Sequence, residues 1–335
     1  MKAGILISPN HIQIKTVEIP EPKQGEIRIK LSKVGICGSD VHLFLGHRLL
    51  ECPTIIGHEG LGTIDKIGEG VIGREIGERV VIEPNIPCRK CRFCMSGHGN
   101  ICINKRVIGL NEAGCFAEYV LVPEEFAWKV PSDISDEDAV TIEPTAVAVH
   151  ALFSSKAKPG DAIAVIGLGA IGLLITHLAL SLGYSVFVTE LNQAKVKMAT
   201  DMGAVAAGSD EMALAKIWEE NEVAAVFECA GVAQTASLAT ASAPRGSEII
   251  LVGLSGNLAT FRPLKIAREG IHIVPSIIYD HPFDFKRKLQ LIRSKVIRHS
   301  FIISSYTDLE NLQVALELAA KGNESKIVVN INYGN

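Results

Sequence analysis

Two textures divide the chain. Over residues 1–145, apolar and polar positions alternate in short runs: EIRIKLSKVGI (26–36), LGTIDKIG (61–68) and ERVVIEP (78–84), separated by Gly, Pro and Asn. Alternation with period two predicts short half-buried strands, as in a barrel-like β domain. From 146 the pattern changes. AIAVIG (162–167), SVFVTE (185–190), AAVFECAG (224–231) and SEIILVGL (247–254) are short, largely apolar runs that predict buried strands. Between them, AIGLLITHLALSLG (170–183), QAKVKMATDMG (193–203), DEMALAKIWEEN (210–221) and AQTASLATASA (233–243) predict helices. Such alternation indicates an α/β domain with a parallel sheet covered by helices on both faces. The last stretch holds two helical segments (284–295, 309–322) and a closing strand KIVVNIN (326–332). It is expected to return to the first domain, because a lone remnant of this kind cannot bury its own core. The expected organisation is residues 1–145 with 280–335 as one domain, carrying a cysteine-rich lobe at 85–106, and residues 146–279 as the other.

A length of 335 residues suits two domains. The 47% hydrophobic and 21% charged content excludes a disordered chain. A net charge of −4 argues against a generally basic surface, so neither a nucleic-acid nor a membrane partner is expected. The amino terminus carries charges early and lacks the apolar core of an export signal, which points to a cytoplasmic location. From Ala162 to Thr189 there is no Asp, Glu, Lys or Arg. The glycines inside that stretch make it a strand, a tight turn and a buried helix rather than a membrane span.

That turn carries the first candidate chemistry. Gly167-Leu168-Gly169-Ala170-Ile171-Gly172 follows a predicted strand and opens a predicted helix, the arrangement of a dinucleotide-binding turn. Gly167 permits the turn, Gly169 lets backbone N–H groups approach a pyrophosphate, and Gly172 lets helix and strand pack closely. Glu190 lies 18 residues beyond Gly172, where an acid would bind the adenosine ribose. Leu191, Asn192 and Gln193 bring no Arg for a 2′-phosphate, so NAD is expected over NADP. The plainer reading is a glycine loop and an acid that caps a strand.

Eight cysteines are present, at 37, 52, 88, 91, 94, 102, 115 and 229. Cys88, Cys91, Cys94 and Cys102 form C-x2-C-x2-C-x7-C, which suits a closed tetrahedral zinc site. Four thiolates and one Zn²⁺ sum to −2, and Arg89, Lys90, Arg92, Lys105 and Arg106 are expected to offset that charge. The rest of the chain does not support the rival reading of a nucleic-acid-binding zinc ribbon. A second, dispersed set comprises Cys37, His58, Glu59 and Glu143. Such donors suit a catalytic zinc with an open position, yet each could equally be a core thiol, a loop histidine or a helix-start acid. Cys52, Cys115 and Cys229 read as core or loop thiols.

CGSDVH (37–42), GHE (57–59), the four-cysteine lobe, GCFAEY (114–119), IEP (142–144) and GLGAIG (167–172) occur in this order. In them the sequence resembles the zinc-dependent medium-chain alcohol dehydrogenases over essentially its whole length. It is most similar to the branch of sorbitol and other polyol, butanediol and threonine dehydrogenases, which carry Glu-Pro where other alcohol dehydrogenases have a second zinc-binding cysteine. The resemblance implies a GroES-like catalytic domain and a Rossmann domain, with the active site in the cleft between them. It implies one structural and one catalytic zinc. Cys37, His58, Glu59 and Glu143 match the catalytic-zinc positions, one acid binding the metal while the other holds its water, or the two exchanging.

Ser39 and His42 match a proton relay through the nicotinamide ribose, and hydride would pass from a secondary alcohol to NAD. By the same analogy Lys326 would contact the cofactor pyrophosphate, and the chain would form a homo-oligomer, a tetramer or dimer, through a sheet edge near 247–254. Two departures concern the substrate. Only 20 residues separate Cys37 from His58, and Ile278-Tyr279 stands where sorbitol enzymes show Arg-Tyr. Polyols, vicinal diols, sugar acids and threonine-like amino alcohols stay open. Two other functions remain compatible with the motifs: an epimerase or lyase that retains its NAD, and a non-enzymatic zinc and nucleotide binder. The last would have no use for a relay.

Overall fold

The computed structural model describes residues 1–332 except Leu49, Lys295, Ile297 and Arg298. The chain forms two compact units, Met1–Glu143 with His299–Asn335, and Pro144–Arg298.

In the first unit the strand Glu26–Gly35 is the spine. Its alternate residues Ile27, Ile29 and Leu31 are fully buried, as the period-two pattern requires. It pairs antiparallel with Glu59–Ile67, Tyr119–Pro123 and Lys326–Asn330. Arg79–Ile82 and Ala127–Lys129 extend this seven-stranded sheet on one side, and Ile303–Asp308 extends it on the other. A smaller sheet joins Lys2–Ser8 to His11–Thr16 and Thr54–Ile55. Phe44, Phe116 and Phe126 share the core with Leu312 and Leu316 of the helix Leu312–Ala320.

The carboxyl terminus does come back to this sheet, but at His299 rather than at 280. The helix Phe283–Arg293 stays with the second unit. Phe285 is fully buried there and meets the Tyr279 ring edge-on at 4.9 Å. The Asp284 carboxylate accepts from the Asp280 N–H at 2.8 Å and bonds His150 Nδ1 at 2.7 Å, which ties the helix start to the helix Ile142–Ser154. Hydrophobic spacing shows that a helix buries one face; it does not say against which unit.

The second unit is a six-stranded sheet with every neighbouring pair parallel. Its order is Val205–Ala206, Ser185–Thr189, Ala162–Ile166, Val223–Glu228, Glu248–Leu251, His272–Pro275. The chain winds outward from Ala162–Ile166 on one side and then crosses to build the other. The order therefore reverses between Ala162–Ile166 and Val223–Glu228, the point at whose carboxyl ends doubly wound sheets bind ligands. Asn192 and Asp210 cap the next two helices, accepting from Ala194 and Ala213 N–H groups at 3.0 and 2.9 Å. The outermost strands, two and four residues long, carry too little pattern to be read from sequence. In consequence Glu248–Leu251, expected near an edge, is paired on both sides, and His272–Pro275 is the edge. The uncharged stretch resolves into a strand, a 12-residue helix and a strand. No helix among the described residues is long and apolar enough to cross a membrane.

The glycine turn follows the first of these strands. A Cβ on Gly172 would stand 1.9 Å from the Gly167 carbonyl oxygen, so the helix can approach the turn this closely only at a glycine. Replacing Gly172 by Val should cost about 1–3 kcal/mol through overpacking against backbone. Thermal unfolding should then fall by several degrees and dinucleotide affinity should drop with it. An unchanged melting temperature with unchanged affinity would contradict this packing.

Candidate active site and cysteine lobe

Cys37, His58 and Glu59 converge in the first unit, each offering a ligand atom within 4.8 Å of the other two. Their elements explain the convergence. Cys37 is the N-cap of the helix Gly38–Phe44, and His58 and Glu59 sit where the chain enters the strand Glu59–Ile67 beside Glu26–Gly35. Gly35 faces Glu59 across the ladder, and a Cβ there would lie 2.0 Å from Glu59 Oε2. The glycine is the space into which the carboxylate fits.

Asp40, which the sequence reading passed over, organises this group. It is fully buried at the third helical position. Its Oδ2 accepts from the Cys37 N–H at 2.9 Å, and its Oδ1 bonds His58 Nδ1 at 3.2 Å. The Asp40 N–H in turn points at the Cys37 sulfur, closing a reciprocal cap. One carboxylate therefore orients both the thiol and the imidazole and leaves His58 Nε2 available to a metal. The signal was present as an acid three residues after an N-cap position. Burial lowers the His58 pKa, but the Asp40 carboxylate and the Cys37 sulfur outweigh it and hold the imidazole well above its ordinary value.

Lys326 sits elsewhere than the family analogy implies. Instead of reaching toward a cofactor, it is buried at 3% exposure and gives Nζ to both Glu59 oxygens, at 2.6 and 2.7 Å, and to the Ile36 carbonyl at 3.0 Å. Burial opposes its charge, yet Glu59, Cys37 and Glu143 together raise its pKa, so it stays an ammonium. Glu143 is buried at 6% and close enough to act on Lys326, but it stands outside the 4.8 Å group. Ser39 Oγ lies 3.5 Å from His58 Nε2. His42, one turn along the same helix, is exposed.

The four-cysteine lobe closes as its spacing suggests. Cys88 to Cys94, Cys91 to Cys94 and Cys91 to Cys102 sulfurs are 4.0, 3.5 and 3.9 Å apart. Zn–S bonds of about 2.3 Å in a tetrahedron place sulfurs about 3.8 Å apart, so the donor set fits zinc. Backbone N–H groups aim at the sulfurs, among them that of Cys88 at Cys102 Sγ, 3.2 Å. Those from Cys94 and Ile103 help pull Cys91 down to about 6, whereas desolvation and the Cys91 hydrogen bond push Cys94 up to about 12. Most of the basic side chains turn elsewhere. Arg89 pairs with Glu125, Arg92 lies over the Phe93 ring, and Arg106 pairs with Glu112. The charge of the lobe is met chiefly by backbone, which a count of Arg and Lys cannot show.

In the second unit, Gly167 takes φ +89° and Gly169 is the N-cap of the helix Ala170–Ser181. Gly169 offers no side-chain cap, and a Cβ there would meet nothing within 4 Å. The space beside Gly169 is open, and the leading N–H groups of this helix have no acceptor within their own helix, an arrangement that fits a pyrophosphate. Glu190 ends the neighbouring strand. It accepts from Leu168 N at 2.7 Å with one oxygen, and from Leu191 and Asn192 N at 2.7 and 2.9 Å with the other. Glu228, not singled out from the sequence, accepts from Ala230 and Gly231 N at 2.9 and 3.0 Å and from Thr235 at 2.7 Å, fixing the adjacent loop.

Comparison with known proteins agrees with both halves. Residues 23–132 match the alcohol dehydrogenase GroES-like domain, and residues 170–294 match the zinc-binding dehydrogenase domain. The sorbitol dehydrogenase of Bacillus subtilis is 30% identical over 95% of this chain and 93% of its own. The chain belongs to the zinc-binding alcohol dehydrogenases. The L-threonine 3-dehydrogenase of the same organism is 31% identical, covering 93% of each chain. A crystal structure of an alcohol dehydrogenase (rspB) from Escherichia coli CFT073 with NADH is 29% identical, with a TM-score of 0.92 over 98% of this chain and 99% of that one. The protein is accordingly an oxidoreductase of secondary alcohols that works with zinc and a nicotinamide dinucleotide, on a GroES-like and a Rossmann unit.

A zinc ion on His58 would have to displace the proton that Asp40 and Cys37 stabilise there. Because that pKa is raised, zinc affinity at this dehydrogenase's Cys37 site should be full above it and fall as pH drops through it. The loss should set in above the ordinary imidazole value of about 6.5. Asp40→Asn should weaken zinc about 10–100-fold and move the onset to lower pH. Zinc titrations against a competing chelator read both, and an unchanged Kd and onset would contradict the role given to Asp40.

Proposed function

We propose that this dehydrogenase oxidises a secondary hydroxyl on a polyol-like or diol-like substrate and passes the hydride to NAD, with Cys37, His58 and Glu59 as the protein ligands of its catalytic zinc. The convergence of those three donors beside the proposed relay residue Ser39 carries the reading. When bound, zinc supplies Lewis acidity toward an alcohol oxygen, and the nicotinamide supplies the hydride acceptor. The chain's own residues do the rest. Asp40 keeps Cys37 and His58 aimed, and Lys326 holds Glu59 in place with two short hydrogen bonds.

Glu143, outside the ligand group, is assigned to hold the water or the substrate hydroxyl. Ser39 takes the substrate proton and His42 passes it to solvent from its exposed position. Cys88, Cys91, Cys94 and Cys102 hold a structural zinc. The N–H groups of Gly169, Ala170, Ile171 and Gly172 hold the pyrophosphate on the turn that Gly167 opens. Glu190 binds the adenosine ribose through the lone pairs its backbone contacts leave over, and its charge repels a 2′-phosphate. We place the enzyme in the cytoplasm as a homo-oligomer, a dimer or tetramer. The free edge of His272–Pro275, with Ile273 exposed, is the surface for pairing.

Steady-state rates with the two cofactors test the assignment at Glu190. NAD should exceed NADP at least 100-fold in kcat/KM, and Glu190→Ser should lower the NAD value about tenfold while narrowing the gap. Chelation should abolish NADH formation and added Zn²⁺ should restore it. Equal use of NADP, or turnover that survives full removal of zinc, would refute the reading.

A further inference from the structure

The first unit is built from two stretches of chain, one ending at Glu143 and the other beginning at His299. Close to these points the two stretches are fastened together. Thr141, fully buried, is the C-cap of the helix Asp136–Val140, and its hydroxyl donates to the Glu137 and Asp138 carbonyls at 3.2 and 3.1 Å. That engages the hydroxyl proton, so the 2.6 Å contact between Thr141 Oγ1 and His299 Nδ1 has the imidazole as donor. His299 is buried as well, at 1% exposure. A second bond lies beside the first, from the Ser300 N–H to Asp138 Oδ1 at 3.1 Å. The two bonds join residues 158 and 162 positions apart.

This clasp bears on the place of Glu143. The helix Asp136–Val140 buries Ala139 and Val140 and packs on the strands Glu26–Gly35 and Glu59–Ile67, which pair Gly35 with Glu59 at the ligand group. Glu143 lies in the first turn of the next helix, Ile142–Ser154. Only Thr141 and the fully buried Ile142 separate it from the helix seated on those strands. Thr141 is thus the joint between the anchored helix and the acid, and His299 holds that joint from the returning chain. A group that must touch reacting atoms is sensitive to such a hold, since a displacement of about 1 Å can cost up to about 100-fold in rate.

Resting on the function proposed above, in which Glu143 holds the water or the substrate hydroxyl, we propose that His299 is a positioning residue for Glu143 and acts on it through Thr141. The imidazole fixes the backbone at the joint, and the joint fixes where the Glu143 side chain starts. Lys326, from the same returning stretch, grips Glu59. The carboxyl-terminal stretch therefore holds both acids, one by a direct ion pair and the other through a neighbouring hydroxyl.

Three changes separate positioning from plain stability. His299→Leu keeps bulk and removes the donor, Thr141→Val removes the acceptor at nearly constant shape, and His299→Asn returns an N–H to the place of Nδ1. Each would be made alone and together with Glu143→Ala, and the zinc-loaded enzymes assayed with NAD on glucitol and on butane-2,3-diol. His299→Leu and Thr141→Val should each lower kcat about tenfold with KM within twofold, and His299→Asn should recover most of the loss. In the Glu143→Ala background the same changes should alter kcat less than twofold, because no carboxylate is left to aim. Should His299→Leu fail to fold, Thr141→Val carries the same comparison. Equal losses in both backgrounds would overturn the inference and leave the dehydrogenase reading in place. Wild-type rates in Glu143→Ala would overturn it together with the place given to Glu143. If neither alcohol is oxidised, the visible absorption of cobalt(II) in place of zinc decides, with the four-cysteine lobe as a constant background. His299→Leu should then shift the bands as Glu143→Ala does, with no further shift in the double variant. Bands unmoved by His299→Leu would overturn the inference.

Discussion

Glu59 and Lys326 form an ion pair in which neither side chain reaches solvent appreciably, and much of the first unit is arranged around it. A carboxylate taken out of water needs a partner or it gives up its charge. Here the partner comes from the last strand, which the chain supplies only after building the whole second unit. Lys326–Asn330 pairs antiparallel with Glu26–Gly35 and parallel with Ile303–Asp308, and that register carries Lys326 to Glu59 across the Gly35 gap. The return of the carboxyl terminus completes a site as well as a sheet.

The two metal-ligand groups meet the same problem of concentrated negative charge in different ways. At Cys37, His58 and Glu59 the counter-charge is a buried ammonium, and a buried carboxylate sets the direction of the imidazole and the thiol. In the cysteine lobe, backbone N–H groups do most of the work and the flanking arginines pair with acids or rings outside. The first arrangement sets an acid paired with a buried ammonium at the place proposed for the catalytic metal. The second closes a tetrahedron with no position left over.

Much of this was legible in the chain because it rests on local chemistry. The four-cysteine spacing, the Gly167-Leu-Gly169 turn after a strand, and the two hydrophobic periods all act over short stretches of sequence. What escaped depends on distant contacts. Lys326 is one basic residue near a strand, and only the pairing of that strand with Glu26–Gly35 reveals its partner. Asp40 carries no signal of its own beyond its place three residues after Cys37, and only the fold brings His58 beside it. The helix Phe283–Arg293 was read correctly as a helix and allotted to the wrong unit, because the bond from Asp284 to His150 spans 134 residues. The edge strand His272–Pro275 is too short to have a pattern of its own.

The central claim is that Glu59 and Lys326 act as one unit, and a double-mutant cycle tests it most directly. Glu59→Gln, Lys326→Met and the double variant would be unfolded in chelator, so that zinc binding does not enter. Each single change should cost about 3–5 kcal/mol, and the double variant should recover a coupling of at least ~2 kcal/mol. Additive losses, with a coupling under ~0.5 kcal/mol, would contradict the account.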